Sequence, residues 1–127
     1  MYISYNRGDI VILPFPFVTQ AGVKQKARPA LIISDHSIER RFNDIILVAI
    51  TSQRIYDVKK TELLIEEGTP NFKQTGLVKT SVVRSEYIMT IPAKIIVRKL
   101  GKLTEDLKHK VNNILKLSLG LKDKIMT

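Results

Sequence analysis

The sequence predicts a mainly β fold, a small barrel of short strands carrying one C-terminal α-helix, and three observations support it. Apolar, β-branched runs of strand length recur along the chain, among them DIVILPF at 9–15, ALIIS at 30–34 and DIILVAIT at 44–51. Turn-forming residues separate the runs, most densely at Glu67-Gly68-Thr69-Pro70-Asn71. Helical spacing is confined to the end of the chain, where Leu107, Val111, Ile114, Leu115 and Ser118 follow a capping Thr104.

The first strand is expected over Asp9 to Phe15, opened by Arg7-Gly8, with Pro14 and Pro16 limiting its extension. Phe17 to Ala27 has no period and reads as a flexible basic loop. The next two strands, Ala30 to Ser34 and Asp44 to Thr51, are almost wholly apolar, as strands buried on both faces are. Between them, polar Asp35 to Asn43 is either one helical turn around Glu39, Arg40 and Arg41 or an irregular excursion. Thr61 to Glu66, Leu77 to Arg84, Tyr87 to Ile91 and Lys94 to Val97 complete the strands. The helix has Glu105 and Asp106 in its first turn, where acids suit the dipole, and Gly120 at C′. It is expected to run about four turns and to pack on the barrel, with Lys108, Lys110 and Lys116 in water. No repeat, low-complexity tract or linker divides residues 1–127, which read as one domain.

Composition narrows the function. With 44% hydrophobic residues in 127, the chain can bury a core, and 21 basic against 12 acidic side chains leave it at +9. Such a charge suits a polyanion or an anionic membrane. No apolar stretch is long enough to span a bilayer and Met1-Tyr2-Ile3-Ser4 does not open a signal peptide, so a cytoplasmic location is expected. Without cysteine there is no disulfide, thiol nucleophile or thiolate metal site. His36 and His109 are far apart and outside any HExxH pattern, and no glycine-rich nucleotide loop is present, so neither metal nor cofactor is expected. Residues 94–124 hold nine basic side chains against three acids. A solvated helix face and frayed tail are the ordinary reason for such lysines.

The residues suited to chemistry interrupt strand ends. Arg28 heads a buried strand, Thr51-Ser52 ends another, and Arg84 and Glu86 stand two apart, on one face of an extended segment. A guanidinium fork matches a phosphate, and hydroxyls complete an oxyanion cradle. Structural roles are equally open. Arg28 could pair with Asp9 or Asp44, Arg84 with Glu86 on an exposed face, and Thr51 and Ser52 could cap a turn. His109 falls on the polar face of the helix, while His36 lies in a loop.

Taken in order, RGDIVILPFPF, the basic loop into RPALIIS, VAITSQ, GLVKTSVVRSEYIMTI and IVRKLGKLT resemble the PemK/MazF family of toxin-antitoxin ribonucleases over essentially the whole chain. RGDIV together with RPALIIS is the specific part of the likeness. The resemblance implies an SH3-like β barrel of the CcdB/PemK kind with a C-terminal helix, and a homodimer. It also implies metal-independent cleavage of single-stranded RNA, and inhibition by a cognate acidic antitoxin. By the same resemblance, Arg28 is the catalytic arginine, Thr51 the phosphate-side hydroxyl with Ser52 beside it, and Arg84 and Glu86 a catalytic arginine and acid. Lys24, Lys26, Ser52 and Lys79 are then the expected RNA contacts. The chain departs from some members in having Val23, Lys24, Gln25 and Lys26 where they place a loop histidine, and Glu rather than Asp as the acid. In the implied reaction Glu86 takes the 2′-OH proton, Arg28 and Arg84 stabilise the phosphorane-like charge, and water, His36 or another group protonates the leaving oxygen. Two other readings stand beside it. One is a non-catalytic RNA- or DNA-binding barrel. The other is a CcdB-like gyrase poison, which needs an aromatic C-terminal end where this chain has Lys124-Ile125-Met126-Thr127.

Overall fold

Residues 9–32 fold back on themselves as one long hairpin, β1 (Asp9–Thr19) against β2 (Gly22–Ile32), in register from Ile10 opposite Leu31 to Thr19 opposite Gly22. The structure, a computed structural model, describes residues 4–121; the side chains of 16–19 and 23–25 lie outside the described set, as do the lysines at 122 and 124. The loop expected over Phe17 to Ala27 is therefore strand, turned at Gln20-Ala21 with Gly22 at φ +112°. Its described side chains at Lys26 and Ala27 are exposed, so they print no apolar period on the sequence. The prolines fit for a geometric reason. The Ile12 carbonyl accepts from Val97 N–H at 2.9 Å, on the side of β1 away from β2. Pro14 and Pro16 share its parity and turn the same way, beyond the last residue of β1 that has a partner on that side, so no ladder donor is lost.

β3 (Asp44–Thr51) adds to β2 through Ala30–Ala49, Leu31–Val48 and Ile32–Leu47. β5 (Ser81–Pro92) lies on its other side, with β4 (Glu62–Ile65) outermost, while β6 (Arg98–Lys102) borders β1. All six strands run antiparallel in the order β4-β5-β3-β2-β1-β6, a curled half-barrel open between β4 and β6. Two expected strands, Leu77 to Arg84 and Tyr87 to Ile91, are one continuous β5 with Leu77–Lys79 in the loop before it. Lys94 to Val97 is not a strand. Pro92 ends β5, a 3₁₀ turn covers Ala93–Ile95, and the strand follows at Arg98. Of the two options for Asp35 to Asn43, the irregular excursion is the one formed.

Alternate residues serve two apolar layers. Ile10, Leu31, Val48, Ile50 and Val83 face α1 (Glu105–Leu119), which covers them with Leu107, Val111 and Leu115. Val11, Leu13, Phe15, Ala30, Ile32 and Leu47 form the layer on the other face. The central strands are thus buried on both sides, as their unbroken apolar runs require. The helix is capped as expected: Thr104 Oγ1 accepts from Leu107 N–H at 3.3 Å, and Gly120 closes it in the left-handed conformation. Lys108 is half-covered against Gly8 rather than fully in water. No helix among the described residues is long and apolar enough to cross a membrane.

Two backbone junctions hold the edges. Asp9 is 2% exposed and accepts from Asn6 N–H at 2.8 Å, while Lys99 on β6 reaches its other oxygen at 3.1 Å. Gly101 packs its α-carbon against the carbonyls of Gln74 and Thr75, where a β-carbon would collide with backbone. Gly101→Ala must push two main chains apart. We expect it to lower the unfolding free energy by about 1–3 kcal/mol, the range for overpacking a filled interior, read as a lower urea midpoint.

Candidate functional site

The register gathers the chemistry-bearing residues. Ala30 lies opposite Ala49, Ala49 opposite Arg84, and Arg84 opposite Glu62, so one row crosses four strands. Two residues further toward the end of the sheet, the period of two returns Arg28 and Thr51 to the same face. Arg28 pairs across the hairpin with Leu13, and exposed Lys26 with buried Phe15. Arg28, Thr51 and Ser52 are half-buried and Arg84 is exposed.

Arg84 is held by residues that the sequence reading did not single out. Its Nε stands 3.6 Å from Glu62 Oε2, and its guanidinium lies 5.7 Å from the centre of the Tyr87 ring. Tyr87 in turn meets Phe15 edge-on at 5.2 Å. The carboxylate of Glu62 works in two directions, since Oε1 accepts from Lys59 N–H at 2.9 Å. The sequence placed Glu62 only within a short expected strand, Thr61 to Glu66, and nothing local shows which strand it would face.

Arg84 and Glu86 do not form the pair expected of them. Val48 is opposite Ile88 while Ala49 is opposite Arg84, so Ser85, Glu86 and Tyr87 are a bulge that breaks the two-residue repeat. Arg84 turns to Glu62, and Glu86 is exposed with no ion pair among the described residues. Ser85 between them is fully buried, its N–H bonded to the Thr61 carbonyl at 3.2 Å and its hydroxyl without a partner.

The remaining candidates divide by position. Thr51 Oγ1 accepts from Gln53 N–H at 3.0 Å, so the turn-capping role is realised; the bond uses a lone pair and leaves the O–H as a donor. Lys79 is exposed in the loop that enters β5, at the same end of the sheet as Thr51, because Val82 is opposite Thr51. The side chain of Lys24 lies outside the described residues. The two acids considered for Arg28 are engaged by other cations, Asp9 by Lys99 and Asp44 by Arg40 at 2.6 Å. His36 belongs elsewhere: it bonds Ser34 Oγ at 2.5 Å, and that oxygen also accepts from Ile46 N–H. Ile46 is five residues along β3 from Thr51, about 16 Å at the strand rise. The proton donor considered at His36 is therefore at the wrong end of the sheet. His109 is exposed on the helix, 3.5 Å from Asn113. Among the described residues no three His, Asp or Glu side chains converge as a metal site would need.

Comparison with known proteins agrees with this architecture. A model of the PemK-like, MazF-like toxin of type II toxin-antitoxin systems matches residues 6–119. The fold is similar to a solved endoribonuclease in complex with its cognate antitoxin from a mycobacterial species, with TM-score 0.73 and 23% identity over 94% of this chain and 99% of that one. It is also similar to the Mycobacterium tuberculosis toxin MazF-mt6, with TM-score 0.66 and 21% identity over 91% and 99%. A MazE-MazF structure from Deinococcus radiodurans matches with TM-score 0.67 and 20% identity over 93% and 97%.

Glu62→Ala removes both the partner of Arg84 and the acceptor of Lys59 N–H. We expect faster amide exchange at Lys59 with a stability loss of only about 1 kcal/mol, as for one part-exposed polar contact. Away from the site, Asp35 is held below the usual carboxylate range, first by the Ser37 hydroxyl at 2.6 Å, then by Ser37 N–H at 2.9 Å, and by the charges of Arg7 and His36 against slight desolvation. A depressed folded pKa stabilises above the unfolded value and loses that contribution as pH falls through the folded one. Ser37→Ala should move the Asp35 titration, followed by carboxyl NMR shifts, up toward the ordinary value.

Proposed function

The chain belongs to the PemK-like, MazF-like family of type II toxin-antitoxin toxins, and from that premise we propose that it is an endoribonuclease that cuts single-stranded RNA by metal-independent attack of the 2′-OH. The observation that carries the reading is the convergence of Arg28, Thr51 and Arg84 on one sheet face. RNA brings its own nucleophile, so the protein needs only to orient the phosphate, accept one proton and stabilise one developing charge.

In this reading the 2′-oxygen attacks phosphorus as its proton passes to Glu86, an exposed carboxylate with no ion pair among the described residues. The P–O5′ bond breaks, leaving a 2′,3′-cyclic phosphate on one fragment and a 5′-hydroxyl on the other. Arg28 and Arg84 face the charge on the non-bridging oxygens, and Thr51 and Ser52 donate hydroxyl hydrogens to them. An arginine with a pKa above about 12 is a poor acid, so water protonates the departing 5′-oxygen. Lys26 and Lys79 attract the flanking phosphates. The cognate antitoxin is an acidic chain that folds onto the same cations and competes with RNA.

Cleavage of an RNA oligonucleotide in excess chelator tests the chemistry, with cyclic-phosphate ends expected and no cut where the nucleotide 5′ to the bond is 2′-deoxy. Arg28→Ala should lower turnover roughly 10²-fold or more, as the loss of one oxyanion donor does, with little change in RNA affinity. Lys108→Ala with Lys110→Ala should only weaken binding slightly and flatten its salt dependence. Full activity in Arg28→Ala would reduce that residue to a structural role.

A further inference from the structure

Tyr56 is 97% exposed, the most exposed large apolar side chain among the described residues. A lone surface aromatic is ordinary; what distinguishes this one is its mount. The loop from β3 to β4 turns at Arg54, a non-glycine residue at φ +56°, and Asp57 N–H closes the turn on the Arg54 carbonyl at 3.3 Å. Ile55 is half-buried in that turn and Tyr56 stands at its outer corner.

Both feet of the loop rest on the candidate site. At one, Gln53 N–H bonds Thr51 Oγ1; at the other, Lys59 N–H bonds the Glu62 carboxylate that also holds Arg84. Lys59 further pairs with Asp57 at 3.0 Å across the turn. The ring is therefore set on a braced loop with Arg54, Lys59 and Lys60 around it. From Thr51 to Tyr56 the chain can reach at most about 18 Å, a distance that a few extended nucleotides cover.

Single-stranded RNA needs two kinds of surface, cations along its phosphates and π-faces for its unstacked bases. Arg28, Arg84 and the lysines offer the first. Of the aromatic side chains described at this end of the sheet, Tyr87 is half-buried beneath Arg84 and Phe15 is buried, so among the described residues there Tyr56 is the exposed ring. We propose that Tyr56 is a stacking platform for a nucleobase near the scissile phosphate, held in place by Thr51 and Glu62. This deepens the ribonuclease reading and rests on it. An acidic peptide would find the same cations but brings no obligatory planar ring, so RNA is the occupant the geometry favours.

The chain has no tryptophan, so Tyr56→Trp installs a single fluorophore at the platform. Its emission should be quenched by a single-stranded RNA oligonucleotide, and an abasic nucleotide at one position of that oligonucleotide should abolish the quench. In cleavage assays Tyr56→Ala should raise KM roughly tenfold, the loss of one stacked base, with kcat nearly unchanged and with no further penalty from that abasic substitution. Tyr56→Phe should behave as wild type. Unchanged emission on bound RNA, or an unchanged KM in an active Tyr56→Ala, overturns the platform and leaves the ribonuclease reading standing. A Tyr56→Ala variant that cleaves normally but escapes an acidic antitoxin peptide assigns the ring to the peptide and also overturns it. If wild-type protein neither binds nor cuts RNA, the ribonuclease reading fails and takes the platform with it.

Discussion

The site depends on one register: Ala30 opposite Ala49, carried across to Arg84 and Glu62. The central strands are buried on both faces, so a charged side chain has room only where the strands run out of cover. Strand parity then decides which of those end positions look the same way. Slipping β2 by one residue against β3 would turn Arg28 toward the helix layer and Ala30 with it, removing the core and the site together. Stability therefore enforces the geometry of the candidate site.

The bulge in β5 adds what strict alternation could not. Moving Ser85, Glu86 and Tyr87 out of the ladder frees Tyr87 to lie under Arg84 and against Phe15, tying the hairpin to the middle of the sheet. It also separates the two carboxylates near the arginine. Glu62 holds Arg84 and the foot of the preceding loop, while Glu86 faces solvent with no ion pair among the described residues. The fully buried, unpartnered Ser85 hydroxyl is a cost of that distortion.

Much of the fold was legible because burial writes periodicity. The run at 44–51 and the helix between Thr104 and Gly120 each bury a face and match their elements, whereas the run at 30–34 marks only the buried end of β2. The far half of the hairpin was missed because its described side chains at Lys26 and Ala27 bury nothing. Residues 94–97 misled for the opposite reason, being β-branched where the chain instead turns after Pro92. At the site, Arg28, Thr51 and Arg84 could be named as residues suited to chemistry, although Arg28 and Arg84 lie within β2 and β5 rather than at strand ends. The face they share is set by a cross-strand register that no local pattern shows. Glu62 could not be found, because the partner of an edge strand is a non-local fact. His36 was left open because a loop after a strand can end on either side of a site, and the Ser34 bond fixes it at the far one.

The two prolines in β1 have a consequence beyond fitting the hairpin. Past Ile12 the outer edge of β1 has no paired strand among the described residues, and a strand pair of this length is a template on which a second chain could grow a ladder. Pro14 and Pro16 remove successive donors from that edge, so an incoming strand would find acceptors without the matching N–H groups. The edge is thereby a poor template for strand addition even where no other strand covers it.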